Sequence, residues 1–199
     1  MRKTGMVLAV ILAVGLLVGC AKPPQVDIDA AKSAIQQAQS MEASEYAPDA
    51  MRAAQDAQAQ MEAELKVQEE KFALFRSYKH ATELAGAAKS AGESAQTAAK
   101  DGKQKAMDEA SAAISGAKTA LAEATDLLSK APKGKGTQAD LAALEADLQT
   151  VTTTLADADS AFASQRYKDA KAKAEASMGT INNVKAAVEA AIEAKKGRR

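Results

Sequence analysis

Residues 141–162 read LAALEADLQTVTTTLADADSAF, and their apolar positions recur at alternating intervals of three and four residues. This spacing is typical of a helix that packs along one apolar face, whereas a half-buried strand would alternate with a period of two. The face consists of Leu141, Leu144, Leu148, Val151, Leu155, Ala158 and Phe162. The stretch therefore predicts a long helix with a coiled-coil-like seam.

Similar seams fill the rest of the chain after its first two dozen residues. Alanine supplies 50 of the 199 residues, and tryptophan is absent. Alanine, lysine, glutamate, glutamine and leucine are strong helix formers, and no stretch alternates with a period of two. We expect an all-α fold of antiparallel helical hairpins. The further seams run from Ile28 to Ala38, Met51 to Phe75, Tyr78 to Ala99, Met107 to Leu128 and Tyr167 to Ala191.

The breaks between the seams have turn chemistry. Pro48 suits the first position of a helix. The glycine-containing segment Lys133–Gly136 and the segment Ser164–Arg166 separate neighbouring helices. Asp101–Lys103 is a weaker joint, where the seam slips by one residue. That slip is compatible with two helices or with one long, bent helix.

The two halves of the chain resemble each other. Ala31–Ile35 matches Ala117–Leu121, and Tyr78–Ala81 matches Tyr167–Ala170 at a similar separation. Repetition at a fixed distance is the mark of a duplicated structural unit. We therefore predict two copies of a three-helix unit.

We place the first unit at residues 27–100 and the second at 104–196. Gln58 and Gln68 occupy seam positions of the first unit. A polar side chain there buries less apolar surface than leucine does. We expect the first unit to be the less stable of the two.

The first twenty residues follow a different pattern. Arg2 and Lys3 precede an apolar run over 6–19, which ends in Leu17, Val18 and Gly19 before Cys20. A basic start, a short apolar core and small residues before a cysteine resemble a bacterial lipoprotein signal peptide with its lipobox. As a helix, the run would extend about 21 Å, less than the roughly 30 Å bilayer core. We favour a signal peptide over 1–19, cleaved before Cys20, above a retained transmembrane helix.

Cys20 is the only cysteine, so the alternatives are a free or buried thiol and an acylated one. The resemblance implies acylation, which would be the chain's only covalent group and would anchor it to a membrane. Pro23-Pro24 make residues 20–26 a short, stiff tether. Ala21 stands where lipoproteins kept at the inner membrane usually carry Asp. The resemblance thus implies the periplasmic face of the outer membrane.

The chain offers little material for catalysis or metal binding. His80 is the only histidine, which excludes a histidine-based metal cluster. Without residues 1–19, 24 basic side chains face 26 acidic ones, mixed along the chain. That balance gives no basic face for nucleic acid. We expect a non-enzymatic protein with no metal, no cofactor and no nucleic-acid partner.

The chain ends in a basic cluster of Lys195, Lys196, Arg198 and Arg199. Positive charge stabilises a helix C-terminus, which is the interpretation we favour. The alternative is contact with an anionic surface such as peptidoglycan or lipid headgroups. Such a contact would weaken in salt.

Aromatic rings flank the second turn of each unit. Phe72, Phe75 and Tyr78 lie there in the first unit, and Phe162 and Tyr167 in the second. Alanine-rich seams lack bulk, so we expect these rings to pack the end of each hairpin. A ligand pocket is the alternative.

The chain as a whole resembles alanine-rich helical bacterial lipoproteins of domain-of-unknown-function families. The resemblance rests on the lipobox over 17–20, on Ser44–Pro48 and on the turn-helix elements Arg76–Ala81 and Arg166–Ala170. The spacing of Tyr78, Ala81 and Ala85 is similar to that in the second helix of a tetratricopeptide repeat, as is that of Tyr167, Ala170 and Ala174. These families imply no assigned chemistry.

Three functions fit these features. The first is a lipid-anchored scaffold or adaptor that presents helical surfaces to an envelope protein. The second is a structural spacer that self-associates through its alanine seams. The third is a ligand-carrying helical bundle, which would need an internal pocket.

Overall fold

The computed structural model describes residues 22–132 and 138–196, and the secondary structure of these residues is all-α. The all-α prediction is confirmed. No helix of this part is long and apolar enough to cross a bilayer. The helices are α1 (Gln25–Ser40), α2 (Ala43–Tyr46), α3 (Pro48–Glu70), α4 (Lys79–Ser129), α5 (Gln138–Ala163) and α6 (Tyr167–Lys196), with a 3₁₀ helix at Ala73–Phe75.

The structure has two of the predicted helix boundaries, while a third lies outside the described residues. Pro48 is the first residue of α3, and residues 164–166 separate α5 from α6. The predicted loop around Gly134 is not among the described residues. One short helix, α2, was not predicted from the sequence. It follows Glu42, whose φ of 60° turns the chain after α1.

Contacts divide the chain into two units, Met1–Lys100 and Asp101–Arg199. Helix α4 contributes residues to both, so the joint at Asp101–Lys103 is helical and the single-helix alternative is the observed one. The physical reason is that Gly102 costs a helix only about 1 kcal/mol relative to alanine. Good helix formers on both sides outweigh that cost.

In the first unit, α1 packs closely against the first part of α4. A Cβ atom on Gly92 would lie 2.9 Å from the carbonyl carbon of Ala34, so only glycine lets the two backbones approach this far. Gln96 Nε2 donates a hydrogen bond to the carbonyl oxygen of Ala34 at 2.8 Å. The core contains large side chains from α1 and α3, namely Ile28, Ile35, Met51 and Met61, among many alanines.

In the second unit, α5 and α6 form a hairpin beside the rest of α4. Its described core contains more large side chains than that of the first unit. Ion pairs join α4 to α6, with Glu109 Oε2 2.8 Å from Lys171 Nζ and Glu123 Oε2 2.9 Å from Lys185 Nζ. The larger buried side chains are Ile114, Leu128, Leu148, Val151, Leu155, Tyr167, Ile181, Val184 and Val188.

The register of the first and third helices is the same in both units. The hydrogen bond from Gln96 to Ala34 joins residues 62 apart. Both ion pairs between α4 and α6 also join residues 62 apart. Two contacts of equal separation along α4 and α6 mean that these helices run parallel. In the first unit the chain turns back after α1 and again after α3, so α1 and α4 also run in the same direction. Equal separations in the two units are what a duplicated three-helix unit would produce.

Candidate functional site

The large apolar side chains that stay exposed within the described residues are Val26, Val67, Phe72, Leu74 and Phe75. All of them belong to the first unit. Phe72 is 69% exposed and Phe75 is 76% exposed, which is far above what a ring packed at a hairpin end would show. Single exposed apolar residues are ordinary on a protein surface, but a group of them marks an interaction site.

The five residues lie at one end of the first unit, which we call the apolar end. Phe72, Leu74 and Phe75 are in the turn between α3 and α4, and Val67 is in the last turn of α3. Val26 is in the first turn of α1.

The start of α1 is close to this turn. Ala34 lies against Gly92 and Gln96, on average 60 residues further along. Because α1 and α4 run parallel, Gln25 is about level with Ala85. Ala85 is six residues from the start of α4, or about 9 Å along the helix axis.

Two side chains hold the backbone of this turn through three hydrogen bonds. The Arg76 guanidinium donates hydrogen bonds to the carbonyl oxygens of Lys71 at 3.0 Å and of Glu69 at 2.8 Å. The side-chain Oε1 of Gln68 accepts a hydrogen bond from the backbone N–H of Ser77 at 3.0 Å. Arg76 thereby satisfies carbonyls that the end of α3 leaves without intrahelical partners. Hydrogen bonds from polar groups therefore hold the turn without packing of its two phenylalanine rings.

The expectation that Phe72 and Phe75 pack the hairpin end is therefore wrong. Their ring centroids are 6.4 Å apart with the planes tilted by 50°, but both rings face solvent. The expectation holds for Tyr78, which is buried at the start of α4. The buried polar residue at this end is Gln68, a seam position that the sequence marked only as a weak point.

The second unit closes its turn differently. Gln165 has a φ of 59°, and the N–H of Arg166 donates to the carbonyl oxygen of Ala161 at 2.9 Å. These contacts form a Schellman-type helix end, with only three residues between the helices. Phe162 and Tyr167 meet edge to face with ring centroids 5.2 Å apart, as expected for rings at a hairpin end.

Only some of the candidate site residues identified from the sequence lie within the described part of the chain. Cys20 and the cleavage residues Leu17, Val18 and Gly19 lie outside the described residues. At the basic end, Lys195 is exposed in the last turn of α6, and Lys196 is the last residue of that helix. Arg198 and Arg199 lie outside the described residues.

His80 lies on the surface, as expected, with Nδ1 3.6 Å from a carboxylate oxygen of Glu83. Within residues 22–132 and 138–196, no three histidine, cysteine, aspartate or glutamate side chains group as metal ligands would.

Shifted pKa values occur at the ion pairs between α4 and α6. Hydrogen bonding and attraction to Lys171 lower the pKa of Glu109, and the same contact raises the pKa of Lys171. Glu123 raises the pKa of Lys185 in the same way. Perturbed groups often mark catalytic sites, but these three belong to ion pairs that hold neighbouring helices together on a solvated face.

A groove of about 390 Å³ lies between α4 and α5 in the second unit. Leu121, Leu128 and Leu148 form its apolar part, and Glu145 and Gln149 add polar groups. Its volume is within the range of small-molecule sites, which are usually more apolar.

Comparison of the chain with family models, curated proteins and solved structures finds no match.

Proposed function

We propose that this protein is a lipid-anchored, non-enzymatic scaffold or adaptor of the bacterial cell envelope. Cys20 would carry the lipid after cleavage of residues 1–19, and the periplasmic face of the outer membrane is the expected location. The observation that carries the proposal is the leader, because a basic start, a short apolar core and a lipobox together set compartment and anchoring.

The described structure supports a binding role more than a catalytic one. Helix α1 begins five residues after Cys20, so a packed unit follows the anchor directly. The shifted pKa values of Glu109, Lys171 and Lys185 have a structural cause in the contacts between α4 and α6. Long helices with charged outer faces offer surfaces to which partner proteins can bind.

The anchor is tested by the mass of the N-terminal peptide of the full-length protein isolated from membranes. The expected mass is that of a chain beginning at Cys20 with a diacylglycerol thioether. A Cys20→Ser variant is the matched control and should remain uncleaved and unacylated. An N-terminus before residue 20 in the unsubstituted protein would contradict the anchor.

The adaptor role is tested by crosslinking the full-length protein in cells and identifying the products by mass spectrometry. Crosslinks to one defined envelope protein are the expected result. Crosslinks only between copies of the chain would favour the self-associating spacer instead.

A ligand-carrying role is the second candidate, and the groove between α4 and α5 favours it. Native mass spectrometry of the purified protein would reveal a retained small molecule. A Leu121→Arg substitution, which places a charge at a half-buried position of the groove, should release that molecule, while the exposed Ser44→Arg control should retain it. A ligand-free mass in the unsubstituted protein would set this candidate aside.

A further inference from the structure

We propose that the apolar end of the first unit inserts into the surface of the lipid bilayer and forms a second membrane contact beside the acylated Cys20. The inference rests on the proposed anchor, and it names the occupant of the exposed patch formed by Val26, Val67, Phe72, Leu74 and Phe75. Such a contact is interfacial, with apolar side chains buried among headgroups and the upper acyl chains.

The first argument is position. Cys20 precedes α1 by five residues, which can span at most about 18 Å when fully extended. The start of α1 lies at the same end of the first unit as the turn between α3 and α4. A bilayer that holds the lipid of Cys20 is therefore within reach of Phe72, Leu74 and Phe75.

The second argument is the distribution of exposed apolar side chains. Among the described residues, large apolar side chains are exposed at this end and not elsewhere. A soluble partner docking along the helix faces would leave such residues on those faces. Concentration at the end beside the anchor fits a planar apolar layer that meets the unit end-on.

The third argument is that the turn presents its side chains on a fixed backbone. Arg76 and Gln68 tie residues 69–77 together by hydrogen bonds, and the 3₁₀ helix Ala73–Phe75 holds the apolar side chains in place. Insertion then requires little further ordering of the backbone, which lowers the entropic cost of binding.

Charge does not drive this contact. Residues 22–29 and 66–83 together carry five basic and five acidic side chains. The contact should therefore form on zwitterionic lipid and persist in high salt, unlike one made by a basic cluster.

The absence of tryptophan from the chain allows a direct test. The variant Phe75→Trp places a single tryptophan at the apolar end. The matched control Ser44→Trp places one at an exposed position of α2, near the opposite end of α3. Each full-length, membrane-purified variant is reconstituted into phosphatidylcholine vesicles with and without lipid brominated on the acyl chains.

Brominated lipid should quench the Phe75→Trp fluorescence to roughly half or less, in low and high salt alike, while the Ser44→Trp control stays unchanged. Phe72→Trp should repeat the result. An unquenched Phe75→Trp variant on vesicles that carry acylated protein overturns the inference and leaves the anchor intact. Shielding from aqueous acrylamide without quenching by brominated lipid also overturns it, because a protein surface would then cover the ring.

The same samples separate this inference from the proposed function. An unacylated chain that still floats with vesicles and is quenched would refute the anchor and support the apolar contact. An unacylated chain that neither floats nor is quenched would refute both.

Discussion

The two units close equivalent turns in opposite ways. In the second unit, three residues suffice, and Phe162 and Tyr167 pack edge to face across the turn. In the first unit the connection is longer, Arg76 and Gln68 hold it by hydrogen bonds, and Phe72 and Phe75 face solvent. Similar residues thus stabilise one turn and leave an apolar surface at the other. Contacts 62 residues apart join the first and third helices in both units, although the rings pack at one turn and are exposed at the other.

Substitutions in the cores of the two units should have the largest effects on stability. Met61→Ala in the first unit and Ile181→Ala in the second each remove a side chain with no exposed surface. Each should cost about 2–5 kcal/mol in free energy of unfolding. Five large side chains are buried in the described first unit and nine in the second, so the first unit has less stability to lose.

We therefore expect Met61→Ala to unfold the first unit while the second stays folded. Circular dichroism in urea, combined with amide hydrogen exchange to locate the loss, measures this. The Ile181→Ala protein should keep both units folded in the absence of urea. Loss of both units together in Met61→Ala would contradict their unequal stability.

Substitutions in the two turns should have the next largest effect on the free energy of unfolding. Tyr167→Ala should lower the free energy of unfolding by about 2–4 kcal/mol, because a buried ring and its contact with Phe162 are lost. Phe75→Ala should change it by less than about 0.5 kcal/mol, because the ring is exposed. Urea midpoints of the two variants check the difference. Equal losses would mean that Phe75 packs against the first unit after all.

Substitutions at two glycines of α4 test how closely the helices of the first unit pack. Gly92→Ala places a methyl group against the backbone of Ala34 and should cost about 1–3 kcal/mol. Gly86→Ala meets no atom within 4 Å and should stabilise the helix by about 0.5–1 kcal/mol. Thermal unfolding of both variants measures the signs. A stabilising Gly92→Ala would show that α1 and α4 are less closely packed than described.

The smallest effect concerns the ion pair between Glu109 and Lys171. The pKa of Glu109 is lowered in the folded state, so its contribution is present above its usual pKa and is lost as pH falls through the lowered value. The pKa of Lys171 is raised, so its contribution is present below its usual pKa and is lost as pH rises through the raised value.

Glu109→Gln should therefore flatten the loss of stability of the second unit when pH falls below about 4. Urea midpoints across that pH range measure it. Glu175→Gln is the control, since its carboxylate lies 3.7 Å from the same ammonium, farther than that of Glu109. An unchanged acid profile in Glu109→Gln would mean that solvent screens the pair completely.

Much of the fold follows from local pattern. The three-four spacing predicted α5 and α6, and Pro48 and residues 164–166 predicted helix boundaries that the structure has. The sequence does not decide between one helix and two at Asp101–Lys103, because one glycine and a one-residue slip of the seam lower helix stability only slightly. The leader pattern predicts an anchor at Cys20, outside the described residues.

The apolar end is harder to find from sequence. Phe72 and Phe75 continue the spacing of the α3 seam, so periodicity alone assigns them to the core. A usable signal is the run over 72–75, where Leu74 lies off the seam and charged residues stand on both sides.

The sequence by itself determined the long helical segments, although not the short helix α2, because backbone hydrogen bonding and apolar periodicity act over four to seven residues. The tertiary structure alone decided three further features. These are the register of 62 residues, the close approach at Gly92 and the exposure of the rings at the first turn. The physical reason is that each depends on contacts between segments that the helix period does not relate. Arg76 could cap the end of α3, and Gln68 could accept the N–H of Ser77, only once the chain had turned back on itself.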